Sequence, residues 1–461
     1  QEHGHRVLRR VLRERAAHAC DLDVRRQIGG GEEVVDADAA ELHELEPPRR
    51  GPALAGVIGR EDDPRVADRR VEVRGVRQQD HLALGRLRGD ELAEGGGLRA
   101  RYVNGSLTHA RTISSGVLLR RCFLGAGVRD TPRGAEVTRV VEGSMAERAG
   151  LRPGDLVVWF GGDVTSRAEL VEACRTRAGH ADELHYERSG SRVRAAVQYV
   201  PYPEERVPGA AIEYGETGGA RTILARPPSA DTVVCFLPGI DYATVDFALQ
   251  EELPTARFLA DLARAGLATF RVERPGLGDS PGAPCEGFLD EQRVYRRALE
   301  ALSGFPRRVL FGHSVGGMHA PLLADLADAL VVYGATRRRW SECLRASRER
   351  QLRLRGIAGA QTAGWPEERA TRFHEELEVA DLAGAWSKVR CRWLVVIGEH
   401  DWIVGHEEQR ELGGDALDLS GLDHAFTRHA SLAASLSEFG RGDYDERLAE
   451  GCARWIAAMT A

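Results

Sequence analysis

A serine set between glycines, where an apolar strand runs into an apolar helix, is the stretch of this chain best equipped for chemistry. It lies in Arg308-Val-Leu-Phe-Gly-His-Ser-Val-Gly-Gly-Met-His319. Val309, Leu310 and Phe311 read as a strand, and Met318, Leu322, Leu323, Leu326 and Leu330 follow at helical spacing. A turn this sharp strains the backbone of Ser314, and glycines at 312 and 316 let strand and helix approach closely. The Ser314 hydroxyl is thereby lifted clear of the sheet. The spacing predicts a nucleophile elbow, hence covalent catalysis through an acylated serine. The competing reading is a glycine-rich turn with a solvent-facing serine, which the apolar runs on both sides disfavour.

Composition bounds what can surround such a turn. The chain has 461 residues, of which 43% are hydrophobic, enough for two to three domains with packed cores. Net charge is -7, and no basic cluster interleaves with aromatics, so nucleic acid is not an expected partner. Lys388 is the only lysine beside a large number of arginines. The eight cysteines (Cys20, Cys122, Cys174, Cys235, Cys285, Cys343, Cys391, Cys452) are scattered without metal or redox spacing, and are expected to be reduced and mostly buried. No apolar run has the length of a membrane span, and the first residues lack the layout of a signal peptide. A cytoplasmic location is expected, with the cell envelope as the alternative if the native amino terminus is missing.

Residues 1–115 are crowded with Arg, Gly, Asp, Glu and His and hold no aromatic residue before Tyr102. Such a stretch buries too little surface to offset the entropy of ordering, so a low-order segment is expected, with short helices at most around Val7–Ala17 and Ala39–Leu45. The first methionine is Met145, so Gln1 is not expected to be a translation start and the segment need not be native.

Order is expected from Val117. Leu118–Val128 reads as a strand with a glycine turn and Gly134–Val141 as a second strand. Gly143–Asp155 gives a helical turn closed by Gly150 and then a tight turn at Pro153-Gly154. Val157–Val164 makes a strand and hairpin, Ser166 caps a helix through Thr176, and Glu183–Val200 returns as two strands. Residues 117–200 resemble the PDZ domains of bacterial proteases at Phe123-Leu124-Gly125, at Gly143-Ser144 with Ala146, Ala149, Gly150 and Leu151, at Pro153-Gly154-Asp155 and at Gly161-Gly162. The resemblance implies that the Phe123-Leu124-Gly125-Ala126 loop offers backbone N–H groups to a peptide C-terminal carboxylate while the peptide adds as a strand. The helix carrying Leu170, Val171 and Cys174 would be the other groove wall. Ala126 is smaller than the large apolar residue usual there. A PDZ fold that only packs against its neighbour is the alternative.

After the linker Tyr202–Pro208, strands alternate with long helices, the pattern of a mostly parallel sheet. Eight strands are expected, at Ala211–Tyr214, Ala220–Ala225, Thr232–Leu237, Ala268–Val272, Arg307–Phe311, Ala329–Tyr333, Trp393–Ile397 and Ala416–Leu419. Helices are expected at Phe247–Ala265, Asp290–Leu302, Met318–Leu326, Glu407–Leu412 and Tyr444–Met459. With the elbow, three further stretches make residues 207–461 similar to the α/β-hydrolase superfamily: Phe236-Leu-Pro-Gly-Ile-Asp-Tyr242, Val395-Val-Ile-Gly-Glu-His-Asp-Trp-Ile-Val404 and Ser420-Gly-Leu-Asp-His-Ala-Phe426. Arg271–Gly282 looks like that superfamily's loop after the fourth strand, with a structural role.

The resemblance implies a fold and a site. It points to an eight-stranded α/β-hydrolase sheet with a helical lid at 336–388, where Trp340–Leu354 and Pro366–Leu382 read as amphipathic helices hinged at Gly356, Gly359 and Gly364. It assigns Ser314 as nucleophile, His424 as base and Asp401 as the carboxylate orienting it, with the backbone N–H groups of Ile240 and Val315 as oxyanion hole. Pro238 stands where the superfamily usually has histidine, which leaves a main-chain donor intact. His313, His319, His400 and His406 are read as groups that pack beside the site or support its residues, and Asp423 is the second choice of acid. No metal or cofactor is implied. The expected reaction is hydrolysis of a small-molecule ester or amide or of a peptide, esterase slightly ahead of serine peptidase or aminopeptidase, with acyltransferase or thioesterase chemistry open on the same residues. A peptide-binding adaptor is the non-enzymatic alternative. The many lid arginines are read as a solvated face, with reception of an anionic substrate as the alternative.

Overall fold

Strand β1 (Ala126–Thr131) is the first strand of the described residues, pairing antiparallel with β2 (Gly134–Val140) across a two-residue turn. The structure, a computed structural model, describes residues 118–180, 182–358 and 364–459. The expectations for 1–115, for Val117 and for a hinge at Gly359 lie outside those residues. With β3 (Leu156–Phe160), β4 (Asp182–Arg188) and β5 (Ser191–Val197) the first two strands form an antiparallel sheet in chain order, which leaves β1 at an edge. Its core gathers Val137, Met145, Ala146, Leu151, Val157, Phe160, Leu170 and Leu184. Ser144 caps the turn Met145–Arg148 through the Glu147 N–H, and Ser166 caps the helix Arg167–Thr176 through the Glu169 N–H.

The second sheet has eight strands: β6 (Ala211–Thr217), β7 (Ala220–Arg226), β8 (Thr232–Leu237), β9 (Ala268–Glu273), β10 (Arg307–His313), β11 (Ala329–Tyr333), β12 (Arg392–Gly398) and β13 (Asp415–Leu419). Their spatial order is β13-β12-β11-β10-β8-β9-β7-β6, with every pair from β13 to β9 parallel and β9-β7-β6 antiparallel. β8 and β11 are buried at every position because both sheet faces are covered, which is why they read as unbroken apolar runs. On one face Phe236, Phe311 and Val331 pack against Phe258, Leu262, Leu448 and Cys452 of the helices Pro254–Arg264 and Arg447–Ala458. On the other, Leu310 and Val332 pack against Tyr295 and Leu299 of Phe288–Glu300 and against Leu323. This is a mostly parallel eight-stranded sheet with helices on both faces, preceded by a small β-rich domain.

Four segments depart from the sequence expectation, each for a local reason. Leu118–Leu124 is not a strand; only Cys122 makes a bridge, to Pro201, and β1 starts after Gly125, whose φ of +71° turns the chain. Phe247–Leu253 is a series of turns, because Pro254 forces Leu253 into extended backbone and so can only begin the helix. Met318–Leu326 breaks at Ala320 into a 3₁₀ helix, since Pro321 lacks the N–H an α-helix needs. Pro366–Leu382 yields two shorter helices, Thr371–Val379 and Leu382–Lys388, separated by Ala380 and by Asp381, which caps the second.

The two domains meet through buried charge. Arg120 pairs with Asp246 and, at 2.8 Å, with Asp279; Arg121 reaches the same carboxylates at 3.1 and 3.3 Å and stacks on Tyr202. Arg175, in the last turn of Arg167–Thr176, donates to the Gly276 carbonyl at 2.7 Å and the Gly278 carbonyl at 3.2 Å, in the loop after β9. Breaking one partner of such buried pairs strands the other charge, so the contact is specific in geometry.

Candidate functional site

Ser314 carries the strain that the sequence predicts for an elbow. Its φ of 54° and ψ of −122° put an L-residue in a region normally left to glycine, and its N–H is fixed at 2.8 Å on the Tyr333 carbonyl of β11. The glycines around it answer to close approach. A Cβ on Gly312 would lie 2.6 Å from the Gly316 carbonyl oxygen, and one on Gly316 would overlap the Leu237 carbonyl at the end of β8. The short helix Val315–His319 can therefore press against β8 and β10, leaving Ser314 half-buried at the sheet's carboxyl edge.

His424 and Asp401 come from loops at the same edge. His424 Nδ1 lies 2.9 Å from Asp401 Oδ2, with both side chains buried. Asp401 follows β12, and the Ile403 and Val404 N–H groups hold its Oδ1 at 3.0 and 2.9 Å, while Gln409 Nε2 donates to Oδ2 at 3.2 Å. The carboxylate is thus pinned with one oxygen turned to the histidine. Burial disfavours the imidazolium, but the Asp401 charge and hydrogen bond outweigh it, so His424 is raised above its ordinary value. Gly334, next in chain to the residue holding the Ser314 N–H, faces this pair: a Cβ there would sit 2.5 Å from His424 Cε1 and 3.3 Å from Asp401 Oδ2. One backbone segment therefore touches the serine on one side and the His–Asp pair on the other.

The competing residues have other partners. Asp423 Oδ1 accepts from the Ala425 and Thr427 N–H groups and Oδ2 faces His429 Nε2 at 3.1 Å, so this carboxylate shapes the histidine loop from behind. His313 stands closest, with Nε2 at 2.8 Å from the His424 carbonyl oxygen; burial and the neighbouring His424 push it down to about 3, so as a neutral ring it donates there and steadies the loop. Burial lowers His319 to about 4, stacked 4.0 Å from Phe288. His400 meets the His429 carbonyl at 3.0 Å, and His406 is exposed near Asp418.

Ile240 sits in the turn after β8, and Gly239 in that turn lies against Ser314: a Cβ on it would be 3.2 Å from the Ser314 Cβ. Val315 heads the elbow helix, where its N–H has no partner within the helix. The turn's carbonyls point into the protein. Arg274 donates to Asp241 and Ala243, and Arg369 to Ile240 at 3.2 Å, both guanidiniums resting on the buried Glu291. Sequence reasoning passed over Glu291 and Arg369; an isolated Glu inside an amphipathic helix carries no signal of its own. The segment between β11 and β12 contributes Trp340, Cys343, Phe373 and Leu377 to an apolar cluster with Val315 and Met318 of the elbow helix and with Ile240.

In the first domain, Gly125 keeps the Phe123–Ala126 loop close to Ser144, and the loop's inward carbonyls are used: Leu124 accepts from Ala146 and Gly125 from Val141, both at 2.8 Å. Phe123 N–H is engaged by the Val200 carbonyl at 2.7 Å, which removes it from the expected donors and leaves Leu124, Gly125 and Ala126. Of the expected groove wall, Leu170 is turned into the core, Cys174 is half-buried and Val171 is exposed. Among the described residues no group of three or more His, Cys, Asp or Glu side chains is placed to hold a metal ion, and no helix is long and apolar enough to cross a membrane.

Two family models match the chain, one in each domain. Residues 236–436 match the family model described as alpha/beta hydrolase family, and residues 136–183 match a PDZ domain model. A probable periplasmic serine endoprotease of the DegP-like kind from Hahella chejuensis is 34% identical over 95 residues; the match spans 20% of this chain and 20% of that protein. Similar solved structures include an α/β-hydrolase fold protein from Chitinophaga pinensis, with 16% identity, a TM-score of 0.36, and coverage of 55% of this chain and 99% of that one. An esterase from Pyrococcus furiosus (13%, TM-score 0.36, 56% and 96%) and a carboxyl esterase from Tuber melanosporum (16%, TM-score 0.37, 53% and 85%) are others. Residues 236–436 are therefore an alpha/beta hydrolase domain and residues 136–183 lie in a PDZ domain, for which the DegP-like match fits the bacterial protease type.

Proposed function

We propose that the protein is a serine hydrolase that cleaves an ester or amide through an acyl-Ser314 intermediate. The observation that carries the proposal is the closed His424–Asp401 hydrogen bond at 2.9 Å beside a Ser314 held at φ 54°. His424 takes the hydroxyl proton as Ser314 attacks the carbonyl carbon, then returns it to the leaving group; water repeats the sequence in reverse roles and releases the acid. Asp401 keeps Nδ1 protonated, so Nε2 is the basic nitrogen. The Ile240 and Val315 N–H groups receive the oxyanion.

The apolar cluster of Phe288, Val315, Met318, Trp340 and Phe373 favours an uncharged acyl group, which places esterase ahead of peptidase. Acyl transfer to a thiol, alcohol or amine would use the same residues with a different acceptor. A panel of p-nitrophenyl esters and aminoacyl anilides, run against wild-type protein, separates these readings: turnover of esters with little on anilides is expected, and turnover of neither removes the proposal.

For the PDZ domain we propose capture of a peptide with a free C-terminus, laid along the open edge of β1 with its carboxylate at the Leu124–Ala126 N–H groups. Isothermal titration with a peptide library and its C-terminally amidated copies tests it. Binding that survives amidation argues against the loop as the carboxylate site.

A further inference from the structure

The oxyanion turn of this protein is not self-supporting. Its residues Ile240, Asp241 and Ala243 each give a backbone carbonyl to an arginine that neither belongs to the turn nor touches Ser314. Arg274 comes from the end of β9 and is part of the folded body. Arg369 is different, because it arrives from the segment between β11 and β12, two residues ahead of the helix Thr371–Val379. Its guanidinium bridges two groups: Nη1 donates to the Ile240 carbonyl at 3.2 Å, and Nη2 to Glu291 Oε2.

The bridge has little freedom. The Arg369 side chain is 1% exposed and Glu291 0%, and the guanidinium lies 3.7 Å from the Phe373 ring centroid and 4.9 Å from that of Tyr242. Glu291 is fully committed, accepting from Arg274 at 3.1 Å and from the Tyr295 hydroxyl at 2.9 Å as well. Burial would raise its carboxyl, but Arg274 and Arg369 outweigh that and hold it at about 2, so the site is ionised throughout the working pH range. The nearby His319, neutral in its buried position 3.8 Å from Glu291, does not compete for the charge.

The consequence follows from the covalent geometry of one residue. Ile240 carries the candidate oxyanion N–H on one side of its Cα and the carbonyl held by Arg369 on the other. Fixing the carbonyl removes orientations from the residue and so from its N–H, and an oxyanion donor contributes most when it needs no reorganisation as charge develops. We propose that Arg369 is a positioning residue for the hydrolysis proposed above: it makes the aim of the Ile240 N–H depend on packing of the segment between β11 and β12 against the turn, so that docking of that segment and oxyanion-hole assembly are one event. The proposal rests on the serine-hydrolase reading.

The test uses the full chain with Arg369→Met, which keeps the length and loses both donors, and Arg369→Lys, which keeps a charge for Glu291 but cannot bridge to the Ile240 carbonyl. Three readouts are taken: kcat and KM on a turned-over p-nitrophenyl ester, the inhibition constant of a trifluoromethyl ketone that mimics the tetrahedral oxyanion, and the thermal midpoint. Arg369→Lys is expected to keep the midpoint within a few degrees of wild type, to lower kcat by about 10- to 100-fold at a KM within about twofold, and to weaken the ketone by a similar factor. Arg369→Met is expected to lose the same factor in kcat and also to lower the midpoint, through the stranded Glu291 charge. If Arg369→Lys leaves kcat and ketone affinity at wild-type values, Arg369 is a structural ion-pair partner only and the proposal is overturned. If wild-type protein neither turns over an ester nor binds the ketone, the hydrolase reading itself fails and takes the proposal with it.

Discussion

His424 and Asp401 meet, at 2.9 Å, directly across from the α-carbon of Gly334, the residue that follows Tyr333, whose carbonyl holds the Ser314 N–H. The end of β11 thus holds the Ser314 backbone and faces the side chains of His424 and Asp401.

That placement makes Gly334 a sensitive position. Its φ is +61°, and an added Cβ would lie 2.5 Å from His424 Cε1. Gly334→Ala should cost about 1–3 kcal/mol in backbone strain and lower kcat at least tenfold, as the imidazole is displaced. Steady-state kinetics with a chemical-denaturation curve checks both; an unchanged rate would show that the His424 ring does not work where it lies.

The Asp401 charge predicts a pH profile. His424 must be neutral to act as base, and it is raised above its ordinary value of 6.5, so activity should rise with pH along a limb centred above 6.5. Asp401→Asn removes the charge that opposes burial, so the limb should move to lower pH while the plateau rate falls by about 10⁴-fold through the wrong tautomer. A pH–rate profile of both proteins reads this, and a limb that stays in place would separate Asp401 from the base. Asp423→Asn, whose hydrogen-bond partner is His429, removes a smaller contribution to the same rise and should move the limb to lower pH by less than Asp401→Asn does.

At the domain junction, burial pushes the Glu273 carboxyl up from 4.5 to about 7, with Asp246 adding to the rise and the Thr244 hydrogen bond opposing it. Because the folded value lies above the unfolded one, the folded state takes up the proton between about 4.5 and 7. The stability so gained is fully present below about 4.5 and is lost as pH rises through about 7. Glu273→Gln, which mimics the protonated form, should flatten this dependence and stabilise the protein at pH 8 relative to wild type. Thermal midpoints from pH 5 to 8 decide it, and parallel curves for the two proteins would contradict it.

Much of the fold was legible because its strands are short, apolar and separated by helical spacing. β8, β10 and β11 are buried on both faces, so their residues have no polar alternation to blur the pattern. Where the reading missed, a proline, a glycine or a capping aspartate governed the chain: Pro254 delays a helix, Pro321 tightens another, Gly125 moves the first strand, and Asp381 starts a separate helix within the stretch read as one. The Ser314, Asp401 and His424 positions stood out because each follows a strand in a recognisable local setting. Arg369 and Glu291 had no such setting, since their partnership exists only when residues 78 positions apart are packed together. His313, read as a group that packs beside or supports the site, holds the His424 carbonyl, a contact that spans 111 positions.

The central claim is that Ser314 is the nucleophile, and covalent labelling tests it most directly. Wild-type protein treated with a fluorophosphonate should gain the mass of one phosphonyl group, with the adduct on the peptide containing Ser314. Ser314→Ala should keep its thermal midpoint and gain none, because removing one hydroxyl from a half-buried turn costs little stability. An adduct on another residue, or labelling that persists in Ser314→Ala, would contradict the account.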